Sequence, residues 1–207
     1  MSTVEVSVDE VQRTVDGWLD GVDYAIDHSY VPSQFALEFV TFIKLVNGGQ
    51  GEENTTPVLH LHMLDNIDDQ EYNEKGELHK FPRLANLVYP GSAKTTLMGE
   101  YLFLYLGMYG GLPNFGKIEL ALYVSDSMEN GVKNMRKNLE FRYDNSEFLQ
   151  KYMPRKTPEH PNGVEFTDIR WKFVNLDGNV FIVKGYGAKT GVRGSKEMGK
   201  RPRLAVL

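Results

Sequence analysis

The feature that most constrains the fold lies in residues 84–97, where an apolar run and a tight turn precede a long apolar segment. Residues 84–88 are mostly apolar, residues 97–109 are apolar over a helical length, and between them stand Tyr89, Pro90, Gly91, Ser92, Ala93, Lys94, Thr95 and Thr96. Backbone N–H groups at a helix start bind anions, and the helix dipole favours negative charge there. We therefore expect a strand, a phosphate-binding loop and a helix, in that order.

This order of elements is typical of a P-loop, in which backbone N–H groups hold phosphates, a lysine reaches the β/γ oxygens and the next hydroxyl ligates Mg²⁺. Lys94 then supplies the catalytic charge and Thr95 the metal ligand. The nucleotide-binding residues are Pro90, Gly91, Ser92, Ala93, Lys94, Thr95 and Thr96. The pattern G-x-x-x-x-G-K-[ST] would place glycines at Val88 and Ala93, so the match is imperfect. A plain helix start with polar caps is the alternative.

Composition indicates a globular chain with an uneven charge distribution. Hydrophobic residues make up 41% of the 207 positions and charged residues 25%, which is ordinary for a folded domain. The absence of cysteine excludes disulfides and thiolate metal sites. No apolar run has membrane-spanning length, and the acidic N-terminus does not resemble a signal peptide.

The net charge of -5 conceals two halves of opposite sign. Residues 1–79 hold 16 Asp and Glu against 3 Lys and Arg, whereas residues 80–207 hold 12 against 20. The basic part begins just before the candidate phosphate loop. This charge distribution is expected of an anion-binding domain that follows an acidic N-terminal segment. Solvated charges without a partner are the alternative.

Periodicity predicts an α/β domain at residues 29–207 behind a helical appendage at residues 1–28. Amphipathic spacing predicts helices at residues 34–46, 58–67, 94–109 and 128–152. Apolar runs predict strands at residues 83–88, 118–125 and 204–207, and Asp177-Gly178 predicts an antiparallel hairpin between residues 170–174 and 179–183. The expected architecture is a three-layer, mainly parallel sheet that includes this hairpin.

His60 and His62 are separated by one residue, a spacing that places both side chains on one side of a strand, as two ligands of a zinc site can be. No third ligand lies nearby in the sequence, and Asp65 would join them only on a helix. We therefore predict a packed or capping role for these histidines.

Four stretches, taken in order, resemble the ATPase domain of the large terminase subunit, the motor that packages DNA into tailed-phage capsids. Residues 29–34 resemble the adenine-reading Gln motif, and residues 89–96 resemble the degenerate Walker A of this family. Residues 122–127 resemble the strand end that follows the Walker A helix, and residues 191–207 resemble the approach to Walker B. The resemblance implies a P-loop NTPase sheet of the additional-strand type.

The resemblance also assigns roles outside the loop. Gln34 would read adenine, since its amide can pair with both N6 and N7; a solvent-facing glutamine is the alternative. Arg193, between glycines, would complete a neighbouring subunit's ATP site as a catalytic arginine finger. A surface or DNA-facing arginine is the alternative there.

The implied function is to couple ATP hydrolysis, with Mg²⁺, to translocation of double-stranded DNA into a capsid in the host cytoplasm. The implied partners are DNA, the portal, the small terminase subunit and further copies of the chain, with no membrane. Two features depart from the family: Pro90 stands where an Arg is frequent, and the sequence ends before the Walker B acids. Hydrolysis is thus expected of an intact protein with a nuclease domain, and stays open for this chain. A helicase-like or other P-loop NTPase, or a non-hydrolysing nucleotide-binding module, is the alternative.

Overall fold

The computed structural model of the chain describes residues 30–48, 56–68, 70–72, 78–80, 84–113, 115–190 and 194–207. The chain divides into two compact units, Met1–Pro32 and Ser33–Leu207, and the fold described below is that of the second unit. The helical appendage predicted for residues 1–28 lies outside the described residues.

Two helices precede the candidate loop, as the sequence predicts. Helix α1 is Gln34–Asn47, and Ser33 caps it by accepting a hydrogen bond from the Ala36 N–H at 3.1 Å. It ends at Gly48, whose φ of 59° favours glycine. Helix α2 is Val58–Asp68.

Helix α3 follows the loop and is the most deeply buried element described. Lys94 and Thr95 are its first helical residues, π-helical Thr96–Tyr101 follows, and α-helical Leu102–Tyr109 completes it. Gly110 ends the helix in the left-handed conformation with φ 76°. Every residue from 101 to 108 is buried. A helix that is apolar on all sides must be covered on all sides.

The remaining helices follow the first strand of the main sheet. Helix α4 comprises π-helical Met128–Val132 and α-helical Lys133–Asp144, and helix α5 is Glu147–Tyr152. Ser127 caps α4 through its hydroxyl, which accepts from the Asn130 N–H. The prediction of a helical stretch over residues 128–152 is confirmed.

Nine strands are described, in three sheets. Strands β1 (Gln70–Tyr72) and β2 (Leu78–Lys80) form one antiparallel pair, and β3 (Gly111–Leu112) and β4 (Gly116–Lys117) form another. The main sheet has the order β6-β7-β8-β5-β9. Its strands are β5 (Leu120–Ser125), β6 (Glu165–Phe166), β7 (Arg170–Val174), β8 (Val180–Gly187) and β9 (Leu204–Val206).

The main sheet is mixed rather than mainly parallel. Strand β5 pairs in parallel with β8 and with β9, whereas β7 pairs antiparallel with β6 and with β8. The predicted hairpin is therefore confirmed, and Gly178 occupies its turn with φ 76°.

The strand predicted at residues 83–88 is wrong for the part that the structure describes. Residues 84–89 belong to no strand, and the side chains of Leu84 and Leu87 are 44% and 96% exposed. A strand needs a neighbour for its backbone groups, and none pairs with this segment among the described residues. Apolar composition alone does not provide that neighbour.

All the described helices that contact the main sheet lie against one of its faces. Phe103 of α3 packs against Tyr123, Trp171 and Phe181 of the sheet. A Cβ added to Gly107 would lie 2.8 Å from the Cβ of Phe173, so a glycine is required at this approach. Helix α1 covers the opposite side of α3, where Phe39 stacks on Tyr105.

The other face of the sheet is crossed by residues 194–202. Tyr186 and Ser195 share a hydrogen bond between their hydroxyl groups at 2.9 Å, and Leu122 lies beneath this segment. Glu197 connects residues 194–202 to the sheet by ion pairs with Lys184 at 2.8 Å and Arg170 at 3.0 Å. The three-layer prediction is corrected to this extent: among the described residues no helix forms a layer on this face.

The Glu197 ion pairs make stability depend on pH. The hydrogen bond from Lys184 lowers the pKa of Glu197, and Arg170 adds to this effect. Stability from a lowered carboxyl pKa is complete above the ordinary value of about 4.3 and is lost as the pH falls through the native value. We expect Glu197→Gln to lower the free energy of unfolding at pH 7 by about 1–2 kcal/mol.

Denaturant unfolding at pH 7 and at successively lower pH measures this effect. The difference between Glu197→Gln and the unmutated protein should shrink as the pH falls. Glu159→Gln, which alters an exposed side chain that forms no ion pair with the described residues, is the control. A difference that stays constant with pH would contradict the assignment.

A buried ion pair joins α3 to α4. Glu100 is 5% exposed and accepts hydrogen bonds from Arg142 and, at 3.0 Å, from the Asn138 amide. Arg142 also donates to the Tyr101 hydroxyl at 2.6 Å, and that hydroxyl donates to Asn47 Oδ1 at 2.8 Å. The network therefore fixes the π-helical turn of α3 against both α1 and α4.

Removing Arg142 should expose how strongly this turn depends on its partner. Arg142→Ala leaves a buried carboxylate without its compensating charge, so we expect a loss of about 3 kcal/mol in the free energy of unfolding. Lys133→Ala, on the same helix, breaks a pair with the exposed Glu129 and should cost less than about 1 kcal/mol. Equal losses in chemical denaturation would contradict the argument.

Candidate phosphate-binding site

The segment before α3 forms a tight turn with two left-handed residues. The Ser92 N–H donates to the Tyr89 carbonyl at 3.4 Å, which closes the turn around Pro90 and Gly91. Gly91 has φ 85° and Ala93 has φ 54°. The left-handed conformation is unfavourable for a residue with a Cβ by about 1–2 kcal/mol, so Ala93 must be held there by its surroundings.

The first backbone N–H groups of α3 have no hydrogen-bond acceptor among the residues that the structure describes. The first helical hydrogen bond runs from the Leu97 N–H to the Ala93 carbonyl at 2.9 Å, and helical conformation begins at Lys94. Within the described ranges no acceptor is found for the N–H groups of Lys94, Thr95 and Thr96. Such groups, next to a left-handed residue, are the donors that form anion-binding concavities.

The side chains of the loop differ in their exposure. Lys94 is half-buried and forms no ion pair with any carboxylate that the structure describes. Thr95 is exposed and Thr96 is half-buried. Ser92 is 5% exposed, and its hydroxyl oxygen is buried without a hydrogen-bond partner among the described residues. A buried hydroxyl without a partner is energetically unfavourable, which is typical of functional sites.

The loop lies toward the carboxyl ends of the parallel strands. The C-terminal end of α3 contacts the amino end of β8, because the Asn175 amide donates to the Met108 carbonyl at 2.8 Å and Asn179 lies beside Gly110. Helix α3 therefore runs antiparallel to β5 and β8, and its first residues point to the opposite edge. Ligands of open α/β sheets bind outside this edge.

Asp126 follows β5 at the same edge of the sheet. Its side chain is exposed, and Oδ1 accepts hydrogen bonds from the Ser127 N–H at 2.7 Å and the Ser125 hydroxyl at 3.1 Å. Gly131 lies so close that a Cβ there would be 1.9 Å from Ser125 Oγ. Along the chain, Asp126 is the carboxylate that directly follows β5, the first strand of the main sheet.

Helix α2 holds the loop from outside. The His60 Nε2 atom lies 2.8 Å from the Ser92 carbonyl oxygen, so the ring donates and the carbonyl accepts. Five residues further along α2, Asp65 accepts from the Ser33 N–H at 2.9 Å, directly before α1. One helix therefore connects the loop to the start of α1, where Gln34 lies.

The predicted site residues are thus brought together only in part. Pro90 to Thr96 form the turn and the start of α3, whereas Gln34 is exposed on α1 and donates to Glu38 at 2.8 Å. Arg193 lies outside the described residues. In the described ranges, no group of three or more His, Asp or Glu side chains could hold a metal ion.

The sequence indicates the role of His60 only in part. Its packed or capping role was predicted, but the Ser92 carbonyl as its partner was not, since 32 residues separate the two. Nothing in the local sequence around His60 indicates this contact.

In comparisons with known proteins, no family model, no curated protein and no solved structure matches the chain. The resemblance to terminases therefore depends on the residues quoted above. No described helix has the length and apolar character needed to cross a membrane.

Gly91 provides a direct test of the loop. Gly91→Ala places a Cβ in open space at φ 85°, and Gly178→Ala does the same at φ 76° in the β7–β8 turn. Both should lower the free energy of unfolding by about 1 kcal/mol. Only Gly91→Ala should weaken pyrophosphate binding in calorimetry, because Gly178 lies at the opposite edge of the sheet; equal weakening by both would contradict the assignment.

Proposed function

We propose that Pro90, Gly91, Ser92, Ala93, Lys94, Thr95 and Thr96 bind the phosphates of a nucleoside triphosphate, with ATP as the expected nucleotide. The observation that carries this proposal is the left-handed Ala93 directly before the N–H groups of Lys94, Thr95 and Thr96, which have no acceptor in the part of the chain that the structure describes. An unfavourable backbone conformation that orients free donors is expected where an anion binds. A plain helix start does not require such a conformation.

Lys94 supplies the charge that this site needs. It is the first helical residue, it is half-buried, and no described carboxylate neutralises it. A cation in this position can contact phosphate oxygens through charge-assisted hydrogen bonds. The helix dipole adds to the attraction at the same place.

The residues also fit a magnesium ion bound together with the nucleotide. The exposed Thr95 hydroxyl would be a protein ligand, and Asp126 at the end of β5 is a carboxylate at the same edge of the sheet. Mg²⁺ prefers oxygen ligands and is commonly held by one or two protein groups plus phosphate oxygens. The ion would supply charge neutralisation at the phosphates.

At the level of the whole protein, we propose the ATPase part of a phage DNA-packaging motor, a terminase large subunit acting in the host cytoplasm. Four ordered stretches support it, as does the excess of basic residues in positions 80–207. Double-stranded DNA, the portal, the small terminase subunit and further copies of the chain are the proposed partners. Gln34 would contact adenine, and Arg193 would act on a neighbouring subunit.

Two other functions keep specific support. A turn followed by Lys94 and the Thr95 hydroxyl also suits a helicase-like or other P-loop NTPase. A non-hydrolysing nucleotide-binding module would use the same backbone N–H groups and Lys94 for binding alone. ATP turnover that double-stranded DNA stimulates would favour the packaging motor over both.

The binding proposal is tested with Lys94→Ala. We expect the affinity for ATP with Mg²⁺ in calorimetry to fall about ten- to a hundredfold, because a charge-assisted contact to phosphate is lost. Lys137→Ala removes an exposed lysine of α4 that has no described ion pair, and it should leave the affinity unchanged. ATP binding that is unaffected by Lys94→Ala would overturn the assignment of the loop.

A further inference from the structure

The Ser92–Ala93 peptide has its direction fixed by a residue outside the loop. The His60 ring donates through Nε2 to the Ser92 carbonyl at 2.8 Å. In a trans peptide the carbonyl and the following N–H point in opposite directions. Because His60 turns the carbonyl toward α2, the N–H of Ala93 must point away from α2.

Ala93 depends on this outside support more than its neighbours do. Its φ of 54° is a conformation that residues with a Cβ rarely adopt, whereas Gly91 tolerates φ 85°. The turn itself contributes one long hydrogen bond, from the Ser92 N–H to the Tyr89 carbonyl at 3.4 Å. The His60 contact is shorter and comes from a separate, packed helix, so it restrains the loop more strongly.

Helix α2 is itself firmly attached to the domain. Met63 and Leu64 are buried in the core, and Asp65 accepts a hydrogen bond from the Ser33 N–H at 2.9 Å. His60 and Asp65 are separated by about 7.5 Å along the helix axis. The helix therefore sets a fixed spacing between the phosphate loop and the start of α1.

We infer that His60 is a positioning residue of the phosphate loop, which keeps Ala93 left-handed and its donors directed at the nucleotide phosphates. This inference rests on the proposed nucleotide binding. His60 does not contact the phosphates in this role; it acts through the Ser92 carbonyl. Its replacement should therefore reduce affinity without removing a ligand of the nucleotide.

The experiment measures binding of ATP with Mg²⁺, and of inorganic pyrophosphate, by calorimetry on the 207-residue chain. His60→Phe keeps the ring volume and removes the donor, and we expect a loss of affinity of about three- to tenfold for both probes. His60→Gln retains an N–H donor of similar reach and should bind within about twofold of the unmutated protein. Asn66→Ala, at an exposed position of the same helix, is the control.

A second variant separates positioning from general packing. Ala93→Gly removes the penalty of the left-handed conformation, so the loop then needs His60 less. The loss caused by His60→Phe should be smaller in the Ala93→Gly background than in the unmutated protein. An equal loss in both backgrounds would mean that His60 acts on the core and not on the loop, and the inference would be overturned.

The outcomes separate this inference from the proposed function. If Lys94→Ala abolishes ATP binding and His60→Phe leaves it unchanged, the proposed function stands and the role of His60 is wrong. If the unmutated chain binds neither probe, the proposed function fails and this inference fails with it. Should His60→Phe not fold, His60→Leu takes its place with the same expected loss of affinity, and unchanged affinity of a folded His60→Leu overturns the inference.

Discussion

Burial of one helix on all sides determines most of this structure. Every residue from 101 to 108 is buried, since the main sheet covers one side of α3 and helix α1 covers another. Gly107 permits the close approach to Phe173 that this arrangement needs. Because α3 cannot slide without opening the core, its first residues occupy a fixed position at the carboxyl edge of the sheet. The loop that precedes α3 is therefore held at the same place.

Several polar contacts hold the part of α3 that apolar packing alone does not protect. Glu100 and Tyr101 connect the π-helical turn to α4 and to the end of α1, and His60 connects the loop to α2. These bonds lie within eight residues of Lys94 along the chain. The start of the helix is thus held by specific hydrogen bonds, and its second half by apolar packing. Such a division suits a site that must present backbone donors in a defined direction.

Sequence patterns predicted the local elements well and the long-range contacts poorly. The helices α1 and α2 and the Asp177-Gly178 hairpin depend on spacing and turn chemistry, which are properties of neighbouring residues. The strand expected before the loop is wrong for residues 84–88, because these residues have no pairing partner in the described part of the chain and composition does not reveal this. The buried Glu100–Arg142 pair and the contact of His60 with Ser92 join residues more than 30 positions apart, so no local pattern indicates them. Of the candidate site, the turn and the helix start followed from the sequence, and the support from α2 did not.

The π-helical turn at Thr96–Tyr101 has a consequence for the direction in which the loop leaves the core. A π-helical turn accommodates roughly one residue more than an α-helical turn does. An unbroken α-helix drawn back from the buried residues would therefore carry Lys94 about 100° further around the helix axis. The packing of the buried half of α3 determines which of its side chains face the core. The π-helical turn then sets the rotation of the first residues of α3 relative to that buried half. The direction in which the loop leaves the helix is therefore set by the π-helical turn as well as by the packing of the core.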